Sequence, residues 1–208
     1  MAAVDSLKCM AIGGRTDSAG AAQTDIDQEE LRLLAGGLLR QGMLSNALDG
    51  TPNPTGWRVR QNTGADMNVR VGSGTTQRDL FGLRGTVAGQ GTYLVRLDAT
   101  TITLSVPATD PTNPARYGVF LFIDDTAYSG TASRARAGLQ VLRGTPAVSP
   151  VTPAASAVWS AWALLWEFQL AAAATAVTDV ILDSATSIDR RVSADLIPQD
   201  PFALQLFS

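Results

Sequence analysis

Asp124-Asp125, which follows the apolar run Tyr117–Ile123, could hold a cation or serve as a carboxylate pair. If that run is a strand, neighbouring side chains point to opposite faces, so the two acids cannot share one proton or one substrate atom. They are expected to be solvated charges at a strand-end turn. Asp25, Asp27 and Glu29 have alternating acidic spacing. A calcium loop also needs a central glycine and a closing acid at the twelfth position, and neither follows. Gly72-Ser73-Gly74 offers a serine, but the chain has no histidine and a single lysine, Lys8, so nothing is at hand to activate the hydroxyl. No Gly-Lys-Ser/Thr sequence exists to cradle a phosphate. Cys9 stands alone, which rules out an intrachain disulfide and a zinc cage and leaves a free, buried thiol as the expectation. Asp189-Arg190-Arg191 can meet an anionic ligand, or close the domain or a subunit contact with an ion pair. No catalytic residue, cofactor or metal site is therefore expected.

The aromatic residues offer a different kind of site. Trp57, Trp159, Trp162 and Tyr128 form a candidate platform for a sugar, although large aromatics are more often buried in a core or an interface. Trp159, Trp162 and Trp166 fit one face of a helix. They fit a strand better, with Leu164, Trp166, Phe168 and Leu170 on one side and Ala163, Leu165, Glu167 and Gln169 on the other.

Charge narrows the partners. Sixteen basic and nineteen acidic groups give a net charge of -3 without a basic stripe, so neither nucleic acid nor an anionic membrane surface is an expected partner. The most apolar window, Ala157–Val177, is broken by Ser160, Glu167 and Gln169, and membrane insertion is not expected. Asp5 and Lys8 interrupt the stretch where an export signal would need unbroken apolar residues.

The elements that must position these residues follow from pattern. Asp25 and Gln28 frame a helix start, with Asp27, Glu29 and Glu30 in the first turn and Leu31, Leu34 and Leu38 as its apolar stripe. Gly42 is expected to end that helix. Strands are then expected around Met67–Val71, Tyr93–Leu97, Ile102–Val106 and Tyr117–Ile123, with further ones at Leu139–Val141 and Val180–Leu182. Gly89-Gln90-Gly91 reads as a hairpin loop, Asp98–Thr101 joins the next pair, Asp110–Pro114 is a rigid loop, and the three prolines in Gly144–Ser156 impose an extended path. Short strands without intervening helices predict a mainly β fold, an antiparallel β-sandwich or barrel-like domain. An N-terminal arm, helix and connector would occupy 1–60, the β domain 61–192, and an extended arm 193–208.

Several segments, in order, resemble the β-domain of minor tail or baseplate proteins of tailed phages, especially those infecting actinobacteria. They are Leu31-Arg32-Leu33-Leu34 with Leu39–Leu44, Met67–Gly74, Gly89–Tyr93, Thr109–Tyr117, Asp124–Tyr128, Val141–Ala147 and Ile188–Arg191. Each motif alone is a weak turn pattern, and the specificity lies in the ordered series over about residues 30–192. Gly118–Ile123 and the tryptophan-rich 157–168 segment depart from the pattern, which bears on the packing surface. No catalytic residues travel with the resemblance. It implies a structural virion component, made in the host cytoplasm and built into a tail tip or baseplate as an assembly adaptor. Its partners would be copies of itself, a trimer ahead of a hexamer, and other tail proteins. The alternative is a carbohydrate-binding module that meets a host surface glycan. The candidate assembly interface is Leu31, Leu34 and Leu38 together with Phe202, Leu204, Leu206 and Phe207. The last four lie after Pro198 and Pro201, in a segment too apolar for a free tail.

Overall fold

The computed structural model describes residues 7–10, 41–44, 56–72, 80–86, 90–97, 99–125 and 136–191. The expected helix with Leu31, Leu34 and Leu38, the arm with Phe202, Leu204, Leu206 and Phe207, and Ser73, Tyr128 and Asp98 lie outside them. The chain is mainly β, and every strand pairing among the described residues is antiparallel. In order, the strands are β1 (Leu7–Met10), β2 (Gly42–Leu44), β3 (Val59–Gln61), β4 (Asn68–Val71), β5 (Leu80–Arg84), β6 (Thr92–Leu97), β7 (Ile102–Ser105), β8 (Ala115–Asp124), β9 (Arg136–Arg143), β10 (Ala161–Leu170) and β11 (Ile188–Asp189); one short helix, α1 (Asp179–Leu182), precedes β11.

Three sheets result, ordered β1-β6-β5-β2, β11-β10-β8-β9 and β3-β4-β7. Alternation explains the smaller ones. On β4, Val69 and Val71 turn inward while Asn68 and Arg70 stay half-buried, and on β7 Ile102 and Leu104 turn inward while Thr103 and Ser105 are exposed. One apolar core joins all three sheets, with Trp57, Val59, Val69, Phe81, Leu83, Val95, Tyr117, Val119, Leu121 and Phe168 among its members. This is the mainly β, antiparallel architecture that the pattern predicts, and among the described residues no closed barrel forms. Residues 99–101 lie between β6 in one sheet and β7 in another.

Two expected elements differ. Gly42 starts β2, which pairs with β5. Val180–Leu182 is helical: the Thr178 hydroxyl caps the Ile181 N–H, Asp179 supplies first-turn charge, and these local terms outweigh the strand preference of two β-branched residues.

The central strand β8 is buried along nearly its whole length, as its unbroken apolar run predicts. Tyr117, Val119, Leu121 and Ile123 face the common core, whereas Phe120 and Phe122 face outward into a second, smaller cluster with Trp159. β10 is a strand, but its phase is not constant. A bulge between Leu164 and Trp166 inserts Leu165 as an unpaired residue. As a result Trp166, Phe168 and Leu170 face the core, while Leu164 joins the outer cluster and Glu167 lies on the outer face opposite Gly118. The uniform alternation expected for 163–170 places Leu164 on the wrong side. Periodicity contains no signal for a single inserted residue.

Candidate functional site

The outer face of the β10-β8-β9 sheet carries a groove of about 570 Å³. Cross-strand register builds its floor. Trp162 lies opposite Phe122 and Leu164 opposite Phe120, so large side chains from two strands share one surface. Phe122 stacks on Trp159 at 4.6 Å and 6°, and Phe120 meets Trp159 at 5.6 Å and Trp162 edge-on at 5.9 Å. On β9 the residue opposite Phe122 is Gly138, where a Cβ would come within 2.3 Å of the Phe122 ring. Glycine there lets the ring lie flat on the sheet.

The wall is the proline-rich segment that follows β9. Gly144 and Ala147 donate their N–H groups to the carbonyls of Arg116 and Pro114, which lays the segment back over the sheet. A Cβ on Gly144 would meet the Val151 carbonyl at 2.3 Å, so this close crossing requires glycine. Thr152, Pro153, Ala154, Ala155, Ser156 and Ala157 then line the groove, with Thr86 at its far edge. Trp162, which lines the groove, is 38% exposed, and Val148 and Val151 of the proline-rich segment are exposed at 88% and 66%.

Beyond Leu164 the same face becomes ionic. Glu167 is 2% exposed and accepts a hydrogen bond from Arg190 at 2.6 Å and another from the Thr152 hydroxyl; Arg116 lies at 3.5 Å. Burial alone pushes its carboxyl upward, but the Thr152 and Arg190 hydrogen bonds and the charges of Arg190 and Arg116 outweigh that and hold it below the ordinary glutamate value. The network thus clamps the proline-rich wall and β11 onto β10. Arg191, the next residue, pairs with Asp189 at 2.6 Å and lies 5.3 Å over the Trp166 ring. The Asp-Arg-Arg sequence is engaged in closing the domain.

The other candidates fall elsewhere. Trp57 is fully buried edge-on against Phe81, in the common core rather than on a surface. Trp159 is 4% exposed beneath the proline-rich wall. Of the proposed platform only Trp162 is exposed among the described residues, and coplanar exposed rings are not formed. A flat sugar platform from Trp57, Trp159 and Trp162 is therefore corrected to one core residue, one cluster residue and one groove residue.

The carboxylate pair also needs correction. Asp124 and Asp125 are 4% and 6% exposed, not solvated. Asp124 pairs with Arg136 at 3.0 Å, while Asp125 accepts from Tyr93 Oη at 2.8 Å and exchanges backbone hydrogen bonds with the Ser160 hydroxyl. Their side chains diverge, as adjacent strand residues must, and the β5–β6 hairpin covers the end of β8 through Gln90 and Tyr93. Among the described residues no cluster of three His, Cys, Asp or Glu side chains is arranged for a metal ion, and no helix is long and apolar enough to cross a membrane.

Sequence reasoning missed the groove. Its floor requires a register between strands forty residues apart, and its wall requires knowing where an extended segment lies. The one available signal was Glu167, a carboxylate within an apolar run, which implied a buried cationic partner. Comparison of the chain with models of known protein families, with curated proteins and with solved structures finds no match.

Proposed function

We propose that this protein is a structural component of a phage tail tip or baseplate, an assembly adaptor that acts without catalysis and self-associates, as a trimer ahead of a hexamer. The observation that carries the reading is the outer face of the main sheet. It presents an aromatic-floored apolar groove lined by the partly exposed Trp162. Exposed apolar surface of this kind favours contact with another macromolecule. The buried carboxylates of Asp124 and Glu167 pair with arginines within the domain, which supports a structural role for them. Three of the ordered motifs that resemble phage tail proteins also support the reading, because they occupy structural joints among the described residues. Asp110–Pro114 enters β8, Gly144-Thr145-Pro146-Ala147 anchors the wall, and Asp189-Arg190-Arg191 closes the sheet.

The test has two arms. Light scattering of the purified chain should give a discrete oligomer, and incubation with purified cell wall or polysaccharide should release no soluble fragments. A monomer at high concentration that is also single in a particle sinks the adaptor reading. Reproducible cleavage that disappears on Asp124→Asn or Asp125→Asn sinks the non-catalytic one.

A further inference from the structure

We propose that the outer face of the β3-β4-β7 sheet binds carboxylates of an acidic protein partner through Arg60 and Arg70. Register sets the two side by side. Arg60 lies directly opposite Arg70 across the β3–β4 pair, and Arg70 lies directly opposite Thr103 across the β4–β7 pair. The flanking residues Val59, Val69, Val71, Ile102 and Leu104 are buried in the common core, so the row Arg60-Arg70-Thr103 points the other way. Residues opposite one another across a pair have Cβ atoms about 4.5–5.5 Å apart, close enough for like charges to repel.

The fold does not compensate that repulsion. Arg60 Nε is buried without a hydrogen-bond partner, and among the described residues no carboxylate forms an ion pair with Arg60 or Arg70. Arg70 donates its Nε–H to the Gln61 carbonyl at 2.9 Å, which draws its guanidinium over β3, the strand that carries Arg60. The acids nearest in the fold are engaged elsewhere. Asp183 pairs with Arg58 at 3.0 Å, Asp179 accepts the Gln61 N–H at 2.7 Å, and Asp66 accepts from the Asn62 amide and from both the amide and the N–H of Asn68. A buried N–H without an acceptor calls for a bound group, and two planar guanidinium forks beside a hydroxyl suit an oxyanion.

Shape and charge decide what brings that oxyanion. Thr103 and Ser105 beside the arginines are exposed, so the row opens directly to solvent, where side chains of a second surface reach it. A small free ligand is better held by a concave pocket. A nucleic-acid backbone needs a basic track, whereas this chain carries a net charge of -3, and Arg58, the next cation along the same face of β3, is already paired with Asp183. The site that remains has two cations, which one or two Asp or Glu side chains of a partner match. It lies on a different sheet from the aromatic groove, so it stands apart from the self-assembly reading.

The experiment uses the full chain and a short fluorescent polyglutamate peptide at low ionic strength, with anisotropy as the readout. The wild-type chain should bind, and Arg60→Gln and Arg70→Gln should each weaken binding about tenfold. Because Arg60 has no partner among the described residues, Arg60→Gln should leave the urea midpoint unchanged or raise it, which separates lost binding from lost folding. A wild-type chain that ignores the peptide, or variants that bind it equally well, overturn the inference. So does a marked fall in the urea midpoint of Arg60→Gln, which would assign Arg60 to the fold. Tighter binding of inorganic phosphate or of a single-stranded oligonucleotide than of the peptide overturns it as well. Peptide binding that appears only after Asp25, Asp27, Glu29 and Glu30 are replaced by amides would assign the arginines to the chain's own acidic segment, and the partner proposal would fall.

Discussion

Replacing Glu167 by glutamine keeps the shape of the side chain and removes its charge. In the folded chain the carboxylate is 2% exposed and receives Arg190 at 2.6 Å, Arg116 at 3.5 Å and the Thr152 hydroxyl. A neutral amide presents N–H donors toward groups that are themselves donors, so at least one arginine loses its partner. Breaking a fully buried pair costs about 3–5 kcal/mol. Arg116 and Arg190 retain 26% and 49% side-chain exposure and can recover part of their hydration, which lowers the expected loss to about 2–3 kcal/mol. For a chain of this size that corresponds to a fall in Tm of roughly 4–12 °C. The pH dependence has a definite sign. The Glu167 carboxyl is held below its ordinary value in the folded state, so on acidification the unfolded chain takes up that proton first. The contribution of Glu167 is complete above the ordinary glutamate range and disappears as pH falls through the folded-state value. Urea denaturation of wild type and Glu167→Gln at pH 7 and at pH 3 measures both effects. A difference within about 0.5 kcal/mol at pH 7, or one that grows on acidification, would refute the argument that this network fastens the wall to the sheet.

Gly138→Ala should cost about 1–3 kcal/mol, because the new methyl meets the Phe122 ring that Trp159 stacks against; the urea midpoint and the near-UV spectrum report it. Trp57→Ala should cost about 3–5 kcal/mol by removing a fully buried ring from the common core, and calorimetry measures the loss. Tyr93→Phe deletes the hydroxyl that joins Gln90 to Asp125 and should cost about 1–3 kcal/mol, with hydrogen exchange quickening first in the β5–β6 hairpin. A change below about 0.5 kcal/mol in any of the three would contradict the packing described for that site.

The strands are legible in the sequence where one face is buried and the other wet, because alternation at Val69 and Val71 or at Ile102 and Leu104 records that asymmetry directly. β8 is legible for the opposite reason, since an unbroken apolar run means burial on both faces. β10 is legible as a strand but not in phase, because the extra residue at Leu165 has no compositional mark. Asp124 and Asp125 look solvated in the sequence because their cover, Tyr93, Ser160 and Arg136, comes from three other segments. Trp57 looks like a candidate surface ring for the same cause: burial is a property of the assembled layers, and a tryptophan's sequence neighbours do not encode it. Helix α1 shows a local term overriding another local term, with the Thr178 cap prevailing over two β-branched residues. The assembly residues Leu31, Leu34, Leu38, Phe202, Leu204, Leu206 and Phe207 lie outside the described residues, and their interface role is a proposal from sequence.

The central claim is tested most directly by imaging purified tailed-phage particles whose genome encodes this chain, at a resolution that traces its β10-β8-β9 sheet. The account predicts several symmetry-related copies at the tail tip or baseplate, each with the groove of Trp162 and Leu164 covered by a neighbouring chain. Particles that lack the chain, or that carry it as a single copy with the groove facing solvent, would contradict it.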